Sequence, residues 1–270
     1  LGNCSAVVGG VFNTGSACLS FVGGGYCNTA SGYGAVAGGY NNCITSGFSF
    51  IGGGCRNTVS GYIAAVVGGR SNTSSGTYAF VGSGINNRAT GNCTAVVGGQ
   101  QNTGSGVFGF IGGGQQNAID IVNGHSAIAG GICNFICGAA FCSFIGGGAC
   151  NTGSAAFVVI GGGFCNTNFG NNSVIGGGTC NCSNANCTFT GGGLCNTVSG
   201  CYGAIAGGRA HYQLAPYGVI DGGYNNVICG LACFAGIGTG YQNFNCGCLS
   251  YIGGGKSNNI CNLSTGSFIG

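Results

Sequence analysis

Apolar and polar positions recur along this chain with a single rhythm. A β-branched residue stands six places before a recurrent asparagine: Val7, Val22, Val36, Ile51, Val66, Val81, Val96, Ile111, Ile128, Ile145, Ile160, Ile175, Ile205, Ile220, Ile237 and Ile252, with Thr190 the exception. Two places earlier come mainly small residues, as in Ser20, Gly34 and Ser49. Alternation of period two belongs to strands. The asparagines are Asn13, Asn28, Asn42, Asn57, Asn72, Asn87, Asn102, Asn117, Asn134, Asn151, Asn166, Asn181, Asn196, Asn226, Asn243 and Asn258, with His211 standing in their place once. Of the 16 intervals between these 17 anchors, twelve are 15 residues, one is 14 and three are 17. The ten residues ending at each anchor keep their number, and every length change falls in the arc that follows. A fixed block plus a variable arc is one turn of a solenoid. Fifteen residues are too few for a helix pair, and each glycine would cost a helix up to ~1 kcal/mol. The pattern predicts an all-β, parallel β-solenoid (β-roll) of about 15 residues per coil and about 17 coils, without α-helix. Residues 1–270 read as one continuous array; at ~4.8 Å per rung it would extend roughly 80 Å. Both ends fall inside a repeat, as in a segment cut from a longer fibre.

The Val/Ile column suits a narrow internal core, since β-branched side chains pack well on a pleated surface. The other face carries two columns that vary together. Seven places before the anchor the residue alternates: Ala6, Phe21, Ala35, Phe50, Ala65, Phe80, Ala95, Phe110, Ala127, Phe144. Two residues later, glycine follows every Phe (Gly23, Gly52, Gly82, Gly112, Gly146), and Val or Ala follows every Ala. Volume is exchanged between neighbours, as close packing requires. The same face admits His125, Asn172 and Asp221, which places it outside the coil; the reverse assignment, with Phe and Ala as the core, is the alternative. An outward apolar strip of roughly 800 Å² is large for a monomer and about one partner's share of a protein interface. Phe21, Phe50, Phe80, Phe110 and Phe144 are therefore the predicted interface.

All five cations, Arg56, Arg70, Arg88, Arg209 and Lys256, lie within two positions of an anchor, so that turn faces water. Asparagine tolerates left-handed backbone and bonds local backbone groups. Stacked copies such as Asn28, Asn57, Asn72, Asn102, Asn151, Asn166, Asn181 and Asn196 form a turn ladder, one that accepts His211 and so should accept serine. Directly before the anchor stand Cys133, Cys150, Cys165, Cys180 and Cys195, on successive coils, and Cys233 and Cys248 form a second adjacent pair. Rungs ~4.8 Å apart lie within the Cα range of a disulfide. Free thiols and a disulfide ladder both fit these columns. Zinc does not, because no CxxC pair occurs.

Composition narrows the function. The chain has 65 glycines among 270 residues, one proline, 44% hydrophobic and 3% charged residues, and a net charge of +3. Collagen is excluded by the single proline, and disorder by the apolar content. Five scattered cations make no nucleic-acid surface, and glycine interrupts every apolar run too soon for a membrane span. Acid–base chemistry would have to come from Asp120, Asp221, His125, His211 or Lys256, which share no catalytic motif. No enzyme activity, cofactor or metal is expected.

Segments such as Ser49–Asn57, Ser143–Thr152 and Thr188–Gly200 carry a G-G-G-x-x-N-T signature. It resembles the head repeats of trimeric autotransporter adhesins, and repeat arrays of phage tail-fibre and large-virus structural proteins. The resemblance implies a left-handed β-roll, often trimeric, acting as a stalk or adhesive head; the cysteine columns and the Phe/Gly exchange depart from it. The leading expectation is a structural or adhesive fibre on a virion or cell surface, extracellular, partnered by copies of itself as a homotrimer or filament, and by a surface receptor in the adhesive case. A self-polymerising filament or sheath subunit is the first alternative. An ice-binding solenoid is the second, and the irregular Arg/Gln/Cys column beside the threonines (Thr14, Thr29, Thr58, Thr73, Thr103) argues against it.

Overall fold

A computed structural model describes residues 2–121, 124–262 and 264–270. Among these there is no helix, and the chain coils into a parallel β-solenoid of about 17 turns. It divides into two compact units, Leu1–Phe135 and Ile136–Gly270.

In the first unit each coil contributes a short strand, of two residues except at Ala118–Ile121, to one parallel sheet and another to a second. Ala6–Val7, Phe21–Val22, Ala35–Val36 and Phe50–Ile51 begin the first sheet. Thr14–Gly15, Thr29–Ala30, Cys43–Ile44 and Thr58–Val59 begin the second. A third line consists of single-residue parallel bridges, Val11 to Tyr26 to Tyr40 to Cys55 and onward. Register is one repeat per rung, so Phe21 pairs with Ala35 and Thr58 with Thr73. The shorter repeat between Asn28 and Asn42 leaves that register intact, because its change falls in the arc.

Three corners per coil join these short segments, and each is left-handed. One is a glycine, such as Gly25 with φ 91°. The other two are mostly ordinary residues: the one before the anchor (Cys27, φ 55°; Arg56, φ 57°) and the one nine before it (Phe48, φ 55°; Tyr78, φ 58°). This backbone costs an L-residue roughly 1–2 kcal/mol. Hydrogen bonding explains why it persists. Strand residues donate to the following rung, as Thr29 N–H does to the Asn42 carbonyl at 2.8 Å. Left-handed Cys27 turns its N–H the other way, onto the Val11 carbonyl at 3.0 Å. The residues nine places before the anchor, often aromatic as at Phe48 and Tyr78, thus stand at a corner and not in the strand that follows.

The core lies between the two sheets. Val22, Val36, Ile51, Val66, Val81, Val96, Ile111 and Ile128 are fully buried, facing Ala30, Ile44, Val59, Ala89 and Ile119. In the second unit Ile145, Ile160, Ile175, Ile205, Ile220, Ile237 and Ile252 continue as the buried column. The wall opposite differs there: Asn168, Ser183, Gln213 and Asn245 are buried polar residues. Asn168 Nδ2 donates to the Ser173 carbonyl at 3.0 Å and Asn245 Nδ2 to the Gly236 and Ser250 carbonyls at 3.0 and 3.1 Å. Ser183 pairs with the Thr188 hydroxyl, and Gln213 Oε1 accepts the Gly200 N–H of the preceding rung at 3.3 Å. Thr190, the exception in the apolar column, is also buried, and its hydroxyl has no hydrogen-bond partner.

Candidate functional surfaces

The anchor asparagines are built into the interior rather than the solvent-facing turn. Asn28, Asn57, Asn72 and Asn102 in the first unit, and Asn151, Asn166, Asn181 and Asn196 in the second, are buried. Each amide stitches rungs together. Asn28 Nδ2 donates to the Gly24 carbonyl at 2.9 Å and to the Gly39 carbonyl of the next rung at 2.8 Å, while its Oδ1 accepts the Asn42 N–H at 3.0 Å. Asn57 and Asn166 repeat the pattern. The left-handed residue is the neighbour before the anchor, not the asparagine, so the ladder is an amide-to-backbone lattice and not a turn device.

Outward from the first sheet lies the aromatic strip. Phe21, Phe50, Phe80 and Phe110 are 41%, 43%, 38% and 44% exposed in the first unit, and Phe144 is 42% exposed in the second. Their strand neighbours Val22, Ile51, Val81, Ile111 and Ile145 are fully buried, which decides the orientation of the faces. The alternation ends at Phe144, and Val159, Val174 and Phe189 follow it in the second unit. The paired glycines have a harder constraint than ring volume. A Cβ on Gly23 would stand 3.4 Å from Phe21 Cε1 but 2.4 Å from the Ala37 carbonyl oxygen of the next rung. Gly161 and Gly176 meet the same carbonyl approach, at 2.3 and 2.4 Å, beside valines rather than phenylalanines. Close backbone stacking, rather than volume exchange alone, requires these glycines. Corner aromatics flank the strip and stack between rungs, Tyr33 on Phe48 at 4.7 Å and Tyr217 on Phe234 at 4.6 Å.

Outward from the second sheet lies a hydroxyl face. Thr14, Thr29, Thr58, Thr73 and Thr103 project from it, half-buried to exposed. The residue two further along the same strand direction is Ser16, Ser31, Thr45, Ser60, Ser75, Thr90 and Ser105 on successive coils, and none of these is buried. Sequence reading paired the threonines with the column before the anchor and missed this hydroxyl partner; strand alternation from threonine to the second residue onward was the signal for it. Arg88 interrupts the threonine column, in a shallow depression of about 370 Å³ lined by Ser71, Thr73, Asn86, Gln101 and Thr103.

The cysteines of the predicted ladder are free thiols. Cys133 donates to Gln116 Oε1 at 3.4 Å in the first unit. Cys150, Cys165, Cys180 and Cys195 stack in the second, all left-handed with φ between 54° and 58°. Burial, with the flanking Cys150 and Cys180 thiols adding to it, pushes the Cys165 thiol up from its ordinary value. Cys233 and Cys248 are free too, and Cys248 donates to the Leu231 carbonyl at 2.9 Å rather than bonding Cys233. A disulfide instead joins Cys229 to Cys246, three residues after successive anchors and outside the predicted columns. Among the described residues no three His, Cys, Asp or Glu side chains are grouped to hold a metal ion, and no helix is long and apolar enough to cross a membrane. Cations cap an aromatic stack at the bridge column: Arg209 lies over Tyr224 at 5.4 Å and Lys256 over Tyr241 at 5.5 Å. No protein-family model matches the chain, and no curated protein is significantly similar to it.

Proposed function

We propose that this is a non-catalytic structural fibre protein of a virion or cell surface, whose coils associate with copies of the same chain through the aromatic strip. The observation that carries this reading is the set of phenylalanines more than a third exposed, repeated every second rung in strand register with alanine. A Phe side chain gains about 1.5–3 kcal/mol on full burial. A strip of them on a chain with 3% charged residues favours a partner of matching period, and a second copy supplies one. Adhesion to a receptor and open-ended polymerisation into a filament are two uses of the same assembled rod. The test is sedimentation of the wild-type chain beside a variant carrying Phe21→Ser, Phe50→Ser, Phe80→Ser, Phe110→Ser and Phe144→Ser. The expected result is an oligomer for the first and a folded monomer for the second. A wild-type monomer, or a variant of unchanged assembled mass, overturns the proposal.

A second reading has its own observation. The paired Thr and Ser/Thr columns form a neutral grid, ~4.8 Å between rungs and ~6.6 Å along the strand, on the scale of ordered water. Ice binding by this face predicts that Arg88→Thr, which removes the charged one of the two interruptions between Thr14 and Thr103 (Cys43 is the other), strengthens inhibition of ice growth, and that Thr73→Lys weakens it. Absence of any effect on ice growth by the wild-type chain removes this reading.

A further inference from the structure

The second unit carries a line of thiols that neither reading uses. Cys150, Cys165, Cys180 and Cys195 occupy the same corner of four successive rungs. Their orientation is fixed by backbone: the N–H groups of Cys165, Cys180 and Cys195 bond the Ala149, Phe164 and Thr179 carbonyls of the preceding rung at 2.9, 2.8 and 2.9 Å. Near-identical φ at all four corners, and the same backbone anchoring at Cys165, Cys180 and Cys195, stack the side chains in one column, where the Cys150 and Cys180 thiols are near enough to act on that of Cys165. All four are exposed or half-buried, so a small oxidant reaches them. The thiols form a line rather than a shell, consistent with the lack of any three-ligand metal grouping among the described residues. A line of neighbours offers pairwise chemistry. The same unit shows that outward cysteines on adjacent rungs can be joined: Cys229 and Cys246 are bonded with their Cα atoms 4.7 Å apart, which is the rung spacing.

We propose that this column is an oxidation site that closes into two rung-to-rung disulfides, Cys150–Cys165 and Cys180–Cys195. The thiol of Cys133, at the same corner in the first unit, is given to Gln116 Oε1 at 3.4 Å, which leaves four cysteines to pair within the second unit. Joining the central pair, Cys165 and Cys180, strands a thiol at each end, whereas the outer pairing leaves none. A central bond is also correctable, because the free Cys150 thiolate lies next to the Cys165 sulfur and can displace Cys180, which then pairs with Cys195. The oxidant is a peroxide. One thiolate attacks a peroxide oxygen, the O–O bond breaks, and a sulfenic acid and hydroxide result. The neighbouring thiolate then attacks that sulfur, the S–O bond breaks, and a second hydroxide leaves. The two thiol protons convert both hydroxides to water. Each pair thus gives up two electrons to one hydrogen peroxide, and the column consumes two. Cys165, whose thiol is held up by burial and by its neighbours, is suited to the second step rather than the first.

The experiment titrates the full chain with hydrogen peroxide, alkylates the remaining thiols at each step, and maps the bonds by mass spectrometry after non-reducing digestion with pepsin. The expected result is loss of all four alkylation sites in the column, with cross-linked peptides for Cys150–Cys165 and Cys180–Cys195. In Cys165→Ser only Cys180–Cys195 should form, with Cys150 alkylated. In Cys180→Ser only Cys150–Cys165 should form, with Cys195 alkylated. Circular dichroism establishes that both variants are folded, as expected for changes at unburied corners. Four column cysteines that remain alkylated, or that bond only between chains, overturn the proposal.

Discussion

A single buried amide replaces several backbone contacts in this protein. Asn117 receives none of its stability from water: its N–H donates to Asn102 Oδ1 at 2.9 Å, and its Nδ2 donates to the Gly113 and Gly131 carbonyls at 2.9 and 2.8 Å. Its Oδ1 accepts the Asn134 N–H at 3.0 Å. Serine is too short to reach these partners, and each buried group left unsatisfied costs ~1–3 kcal/mol. Asn117→Ser should therefore lower stability by about 3 kcal/mol or more in denaturant unfolding, while its exposed neighbour changes little in Gln116→Ser. The sequence expectation that serine would be mild came from the column's acceptance of His211, whose Nδ1 in fact keeps the bond from the next rung's N–H that serine would lose. Ile111→Asp remains severe because it buries a charge. The reverse case is Thr190, whose buried hydroxyl has no partner. Thr190→Val keeps the shape and removes the unsatisfied group, so the melting temperature should rise, by an amount corresponding to ~1 kcal/mol. An unchanged or lower value would show that the hydroxyl is satisfied in solution.

The ladder is an element of its own, and His211 is where it is imperfect. His211 Nδ1 accepts the Asn226 N–H at 3.0 Å, as an asparagine oxygen would, and its own N–H donates to Asn196 Oδ1 at 3.1 Å. Nε2 is buried near the Gly223 carbonyl without a well-formed hydrogen bond. Burial lowers the imidazole's pKa from 6.5, outweighing the opposing backbone interactions of Gly223 and Asn226. The folded rung thus resists a proton that the unfolded chain takes up. Stability from this site is full above about pH 6.5 and falls as the pH drops below it, towards the lowered folded-state value. His211→Asn should abolish that part of the acid sensitivity and raise the melting temperature, both readable in thermal unfolding from pH 5 to 8; a pH profile identical to wild type would rule the site out. Legibility follows the same division. The coil length, the buried Val/Ile column and the outward Phe column were readable because side-chain alternation repeats rung after rung and errors average out. The burial of asparagine was not, because its partners are backbone groups on other rungs and leave no residue-type signal. The polar wall at Asn168, Gln213 and Asn245 was missed for a related reason: these residues bond nearby backbone groups and do not recur on successive rungs, so no column announces them. Cys229 and Cys246 escaped because they lie in the arc after the anchor, outside the constant block.

At the scale of the whole molecule the proposed association through the aromatic strip would rest either on apolar area or on fit. In the first unit Phe21, Phe50, Phe80 and Phe110 stand on alternate rungs, with Ala35, Ala65 and Ala95 between them. In the proposed assembly an equivalent strip on a second copy seats its rings over those alanines, each of which is a gap between two phenylalanines beside an outward Val or Ala of its own rung. Ala65→Phe separates the two explanations. It adds apolar area at a half-buried outward position and leaves the core column untouched, so the coil should melt as before. If area alone drives assembly, one more phenylalanine strengthens it, by up to ~1.5–3 kcal/mol per buried ring. If rings seat in holes, the filled hole excludes a partner ring, and overpacking costs about 1–3 kcal/mol beyond the burial that the displaced ring forfeits. The prediction is the second outcome: a dissociation constant raised about tenfold or more in sedimentation equilibrium. Salt should not rescue it, since screening acts on charges that this strip does not contain. Tighter assembly of Ala65→Phe would show that the two-rung period sets the packing of the coil itself and not the choice of partner.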